Sequence, residues 1–215
     1  MTEALWGASA LAALTYGLAL VGRPPSAPRT VVKTIAVALL AVLAVLQGAP
    51  WLLVAGLALC AAGDAFLAGD PKRWLPFGLV AFLLGHTLYI FLFTELRDPA
   101  LEPGPLRLAG LVAVAVAAVA ILAFLWKALG ALRPAVILYV IAIAVMTGSS
   151  LLLDGRYWPA MVGSVAFMAS DAILAISLFR EEKLFGSPRA TDWSVWFLYY
   201  GAQVGIAWPF ISGPF

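Results

Sequence analysis

Eight nearly unbroken apolar stretches, at residues 4–22, 31–48, 49–69, 74–94, 108–126, 134–153, 157–179 and 193–215, constrain this chain more than any other feature. A helix needs about 20 mainly apolar residues to cross the hydrocarbon core of a bilayer. The stretches together take up about three quarters of the 215 residues. Strands of a membrane barrel would alternate apolar and polar residues over about ten positions. These runs are continuous and rich in Ala and Leu, so helices are the expected spans. Breakers fall between them: Arg23-Pro24-Pro25, Gly48-Ala49-Pro50, Asp98-Pro99, Glu102-Pro103-Gly104-Pro105 and Gly186-Ser187-Pro188. No link is long enough for a further domain. The expected fold is an all-α membrane protein of eight transmembrane helices, one integral membrane domain over residues 1–215.

Composition excludes the soluble classes. Apolar residues make up 64% and charged residues 11%, against about 45–50% and about 25% in soluble domains. Net charge is only +2, and no basic run exceeds Lys72-Arg73, so no nucleic-acid partner is expected. The single Cys60 and single His86 leave no disulfide, no Cys-based zinc site and no three-His cage. Neither a metal nor a cofactor is expected.

Lys and Arg predict the orientation. The odd-numbered links hold ten: Arg23, Arg29, Lys33, Lys72, Arg73, Lys127, Arg133, Arg180, Lys183 and Arg189. The even-numbered links hold three, Arg97, Arg107 and Arg156. This asymmetry places the odd links in the cytoplasm and both termini outside it. The start, Met1-Thr2-Glu3, lacks a positive n-region, so the first stretch reads as a retained helix. The chain has no Asn, and Arg outnumbers Lys nine to four. That bias fits a GC-rich bacterial genome and hence an inner membrane.

Ionisable groups at membrane depth are expensive and face protein or a wet cavity. Asp64, His86 and Asp171 are such groups, and Gln203 is a polar one. Each reads either as a functional residue or as a satisfied interhelical hydrogen bond. By helix rise Asp64 lies roughly 9 Å and Asp171 roughly 13 Å from the cytoplasmic edge, with His86 roughly 18 Å deep. Lys33 reads as a snorkelling, topology-setting lysine or, alternatively, as a phosphate contact at headgroup level. Gly63-Asp64-Ala65-Phe66-Leu67-Ala68 matches Ser170-Asp171-Ala172-Ile173-Leu174-Ala175 at an offset of 107, as a 4+4 parallel repeat would. A second match, Gly78-x-Val80-Ala81-Phe82 with Gly163-x-Val165-Ala166-Phe167, pairs spans of opposite direction. Gly201-x-x-x-Gly205 reads as a helix-packing motif.

These pieces, in order, resemble the YhhN family of multi-pass membrane proteins. They are Gly63-Asp64 with Leu67; Gly78, Phe82, Gly85-His86 and Tyr89; Tyr139 with Met146; Phe167-Met168-x-Ser170-Asp171; and Tyr199-Tyr200-x-Ala202-Gln203. Lys33 lies where the family tends to carry a lysine, although Thr34 stands in place of the usual proline. The resemblance implies eight helices and a lysoplasmalogenase-like hydrolysis. A vinyl ether bond of a lysophospholipid would be cleaved to a fatty aldehyde and glycerophosphoethanolamine or glycerophosphocholine.

Such a bond breaks by rate-limiting protonation of the alkene carbon, which leaves an oxocarbenium ion that water captures. The reaction needs a proton donor, a carboxylate to stabilise the cation and controlled water, and no metal. Asp171 is assigned as general acid and Asp64 as cation stabiliser or base, or the two in the reverse order, with His86 as a water-positioning or proton-relaying group or a structural hydrogen-bond partner of an Asp. Lys33, Tyr89, Tyr139, Ser170, Tyr200 and Gln203 are the expected substrate-binding residues, with Tyr139, Tyr200 and Gln203 orienting the glycerol part or else tying helices together. The substrate mouth is expected between spans two, three and seven, with the alkyl chain passing His86. The same carboxylates suit a proton-coupled transporter of small molecules or lipids. An intramembrane aspartyl protease is disfavoured, because Ala61-Ala62-Gly63-Asp64 lacks the first glycine of a Gly-x-Gly-Asp signature.

Overall fold

The structure, a computed structural model, describes residues 2–100 and 102–212. Its long helices are α1 (Thr2–Thr15), α2 (Ala27–Leu46), α3 (Trp51–Ala68), α4 (Pro71–Leu96), α5 (Pro105–Leu125), α6 (Arg133–Leu151), α7 (Trp158–Phe179) and α8 (Pro188–Ile211). A π-helical turn, Tyr16–Leu20, continues α1. No strand occurs among the described residues. Prolines explain many of the starts. Pro28, Pro105, Pro134, Pro159 and Pro188 each sit in a first turn, where the missing N–H has no helical partner to lose.

Among the described residues, seven of the eight helices are long and apolar enough to cross a membrane, so the chain is an integral multi-pass membrane protein. The sequence reads eight spans; α8 is not among the seven. It is 24 residues long, but opens on Arg189 and Asp192 and carries Gln203. The expected eighth span also runs to residue 215, and residues 213–215 lie outside the described residues. Helices also outrun the apolar stretches: α4 begins three residues and α8 five residues early. Hydropathy delimits lipid contact, whereas capping and proline delimit the helix.

Neighbours in sequence pack as antiparallel pairs, with α7–α8 and α3–α4 the most extensive. α4 then packs on α6 rather than α5, and α2 meets α8 to close the bundle. Along α3 and α4 four rungs keep one antiparallel register. A side chain at Gly56 would strike Tyr89, one at Gly63 would strike Phe82, one at Gly78 would strike Leu67, and one at Gly85 would strike the Cys60 sulfur. Gly78, Phe82, Gly85 and Tyr89 of α4 therefore lie on the seam with α3. α5 packs on α6 and buries only Ala118 and Leu125.

The packing motif between α7 and α8 differs from the sequence expectation. Gly205 does meet backbone, with its would-be Cβ 2.7 Å from the Pro159 carbonyl oxygen, but a Cβ at Gly201 meets nothing within 4 Å. The partner of Gly205 is Gly163 of α7, whose Cβ would lie 2.7 Å from the Ala202 carbonyl oxygen. Neither backbone can yield without parting the helices. Gly163→Ala is expected to destabilise the folded protein by about 1–3 kcal/mol, as overpacking does. Gly201→Ala should leave the melting temperature unchanged, and a thermal scan in detergent compares the two.

Candidate functional site

The first turns of α2, α6 and α8 and the last turns of α3, α5 and α7 lie at one end of the bundle, which carries most of the basic residues. Arg29 of α2 donates to the carbonyl of Ala68, the last residue of α3, at 2.5 Å. Helix C-termini leave such carbonyls unpaired and attract cations. Arg180 reaches the Phe124 carbonyl across the same end at 3.1 Å.

A cavity of about 180 Å³ runs inward from this end between α2, α3, α7 and α8. Arg29, Lys33, Asp64, Tyr139, Ser170 and Asp171 are on its wall, with Asp192 near the mouth. Asp64 is 1% exposed and forms an ion pair with Lys33, Nζ to Oδ1, at 3.1 Å. The Tyr199 hydroxyl donates to its other oxygen, Oδ2, at 2.7 Å. Asp171 accepts from the Tyr139 hydroxyl at 2.5 Å and has no ion-pair partner among the described residues. One carboxylate is thus charge-compensated and the other is not. An unpaired charge in an apolar setting is costly, so the two carboxyl groups are chemically unequal. Ser170 Oγ donates to the Val195 carbonyl at 2.8 Å and ties α7 to α8 beside Asp171.

An aromatic layer lies beside the carboxylates. Phe82, Phe167 and Tyr199 meet edge to face at centroid separations of 5.3–6.3 Å. His86 is fully buried against the faces or edges of Phe167 and Tyr139, at 4.6 and 5.2 Å. It is not on the cavity wall, and neither ring nitrogen hydrogen-bonds a described protein atom. His86 therefore makes no hydrogen bond to either Asp.

The remaining expected residues divide. Lys33 does not snorkel: it is 12% exposed, turns inward to Asp64, and lies 5.8 and 5.9 Å from the Tyr16 and Trp196 rings. Tyr139 and Ser170 are at the cavity. Tyr89 and Gln203 are buried away from it, the Tyr89 hydroxyl donating to Gln203 Oε1 at 2.8 Å. Tyr200 points to α1, where its hydroxyl is 2.8 Å from Ser9 Oγ. Its neighbour Tyr199 is the tyrosine on Asp64. Helical spacing carries that signal, since Trp196, Tyr199 and Gln203 share one face and Tyr200 is turned about 100° away. Arg29 is a further cavity residue that hydropathy does not single out, yet it stands one turn before Lys33 on α2. Tyr16 reaches the wall from the π-helical turn that ends the first span.

A second, apolar cavity of about 460 Å³ adjoins the first between α5, α6 and α7. Leu75, Tyr139, Asp171, Leu174 and Leu178 line both. Asp171 and its tyrosine stand at the boundary between a polar and an apolar space.

Known proteins are similar to this chain in sequence. It is 35% identical over 165 residues to proteins named lysoplasmalogenase from Mycobacterium bovis and Mycobacterium tuberculosis. The match covers 75% of this chain and 60% of each relative, so the chain spans less than two thirds of their length. No solved structure matches. The YhhN family matches residues 28–210, which include both carboxylates, their two tyrosines and Lys33, and the chain belongs to that family.

Proposed function

We propose that the protein is a membrane-embedded hydrolase that cleaves the vinyl ether bond of lysoplasmalogens, with the carboxylates of Asp64 and Asp171 as its acid pair. The observation that carries this reading is that two unequal carboxyl groups line one cavity with a basic mouth and an apolar annex. Asp171, unpaired and donated to on Oδ2 only, holds its proton on Oδ1. It delivers that proton to the alkene carbon next to the alkyl chain. The other alkene carbon becomes an oxocarbenium centre, which the compensated carboxylate of Asp64 stabilises. Water adds there, its surplus proton returns to Asp171, and the hemiacetal collapses to aldehyde and glycerophospho-alcohol. Arg29 and Lys33 meet the phosphate, Arg29 with a planar fork that suits it. His86, Tyr89 and Gln203 hold helices and the aromatic layer in place.

The substrate mouth at the basic end then faces the cytoplasm, by the same charge asymmetry that orients the chain. Reporter fusions after Lys183 are expected to read cytoplasmic and those after Asp98 external. The reverse pattern overturns the orientation. The decisive experiment for the activity is aldehyde release from lysoplasmalogen by the purified protein in detergent. Proton-driven lipid flux in proteoliposomes without aldehyde would favour the carrier reading instead.

A further inference from the structure

We infer that the substrate's alkyl chain lies in the apolar groove between α5, α6 and α7, and that α5 sets which chain lengths are accepted. The inference rests on the hydrolase reading above and adds a second subsite to it. The groove is about 460 Å³, within the range of about 300–1,000 Å³ common for small-molecule sites. Among the described residues its polar wall residues are Tyr139, Thr147 and Asp171, and Thr147 Oγ1 already donates to the Ser164 carbonyl at 3.3 Å. The groove can therefore satisfy an apolar chain and little else.

Its place relative to the chemistry identifies the occupant. The scissile bond of an alkenyl lysolipid joins a polar glycerophosphate to a linear hydrocarbon. The boundary between the two cavities falls at Asp171 and Tyr139. A headgroup at Arg29 and Lys33 and a chain in the groove put the vinyl ether beside Asp171. From Tyr139 to Leu151 along α6 the groove extends roughly 18 Å, somewhat more than half of a hydrocarbon core of about 30 Å. That length suits one chain of one leaflet. His86 is fully buried against two rings and borders neither cavity, so this path differs from the route past His86 expected from sequence.

α5 packs on α6 and borders the groove with small side chains. Gly110, Ala113, Ala117 and Ile121 follow one another on the face that borders it, mostly as small residues. The helix buries little of itself elsewhere. Exposed Val165 and Leu178 on α7 also border the groove, so it opens toward lipid, where an aldehyde product can leave.

The test uses Ala113→Phe and Ala117→Phe, with Ala115→Phe as control. All three alanines are exposed, so Phe there displaces no core side chain, and Ala115 does not border the groove. The first two variants are expected to raise KM for a hexadecenyl lysolipid by at least about tenfold, the loss of roughly two buried methylenes. Turnover of a hexenyl analogue should stay at the wild-type level, and the control should resemble wild type for both. Independently of turnover, a saturated 1-O-alkyl lysolipid with a diazirine near its chain end should crosslink to α5 and α6 between Gly110 and Leu151. Equal effects on both chain lengths, or crosslinks confined to α1 and α2, would overturn the inference. A wild-type protein that releases no aldehyde but crosslinks in the groove would overturn the hydrolase reading and keep the chain site.

Discussion

Asp171→Asn is expected to lower aldehyde release by at least about 10²-fold, the lower range for losing a general acid. The carboxamide keeps the shape of the side chain, and its oxygen still accepts from the Tyr139 hydroxyl, as Asp171 Oδ2 does at 2.5 Å. What disappears is the transferable proton. The variant should therefore elute as a single species and retain wild-type thermal stability while kcat collapses. Tyr139→Phe tests orientation separately: the acid remains, its hydrogen bond goes, and the loss should be smaller than that of Asp171→Asn. Near-wild-type turnover in Asp171→Asn would remove this residue from the proton-donor role. Aldehyde detection under single-turnover conditions separates the chemical step from product release.

The helices were legible because lipid demands long apolar runs and proline marks their first turns. The carboxylates were legible because charge at membrane depth is costly and rare. Which groups surround them was less so. Tyr199 and Tyr200 are adjacent in sequence and alike in chemistry, and only the rotation of α8 decides that Tyr199 meets Asp64 while Tyr200 meets Ser9. Lys33 carried a sequence signal as a cation near the end of a span, but hydropathy has no means of showing that it turns inward. The glycine seams show the same limit. Gly201-x-x-x-Gly205 is the spacing that sequence reasoning favours, yet the backbone contact of Gly205 is with α7, at Pro159 and Gly163. The apolar groove left no signature either, because hydropathy does not tell a face of small α5 residues that borders a groove from one that meets lipid.

The inward turn of Lys33 changes what its removal should do. A lysine that only met substrate phosphate would give, on replacement by Ala, a higher KM with kcat intact. A snorkelling lysine would shift stability by less than about 0.5 kcal/mol. Lys33 instead pairs with a carboxylate that is 1% exposed, and it is itself 12% exposed. Removing one partner of such a pair strands the other charge, at a cost of about 3–5 kcal/mol. Lys33→Met is therefore expected to lower the melting temperature clearly and to depress kcat as well as raise KM, because Asp64 loses the cation that keeps it compensated. Asp64→Asn should destabilise in turn, leaving the ammonium unpaired. The double variant, Lys33→Met with Asp64→Asn, removes both charges and should recover most of the lost stability while remaining inactive. Stability and activity then part company in one cycle, which a residue acting only on folding would not produce. If Lys33→Met melts like wild type and changes KM alone, the lysine's working partner is the substrate phosphate, and Asp64 must draw its compensation from Tyr199.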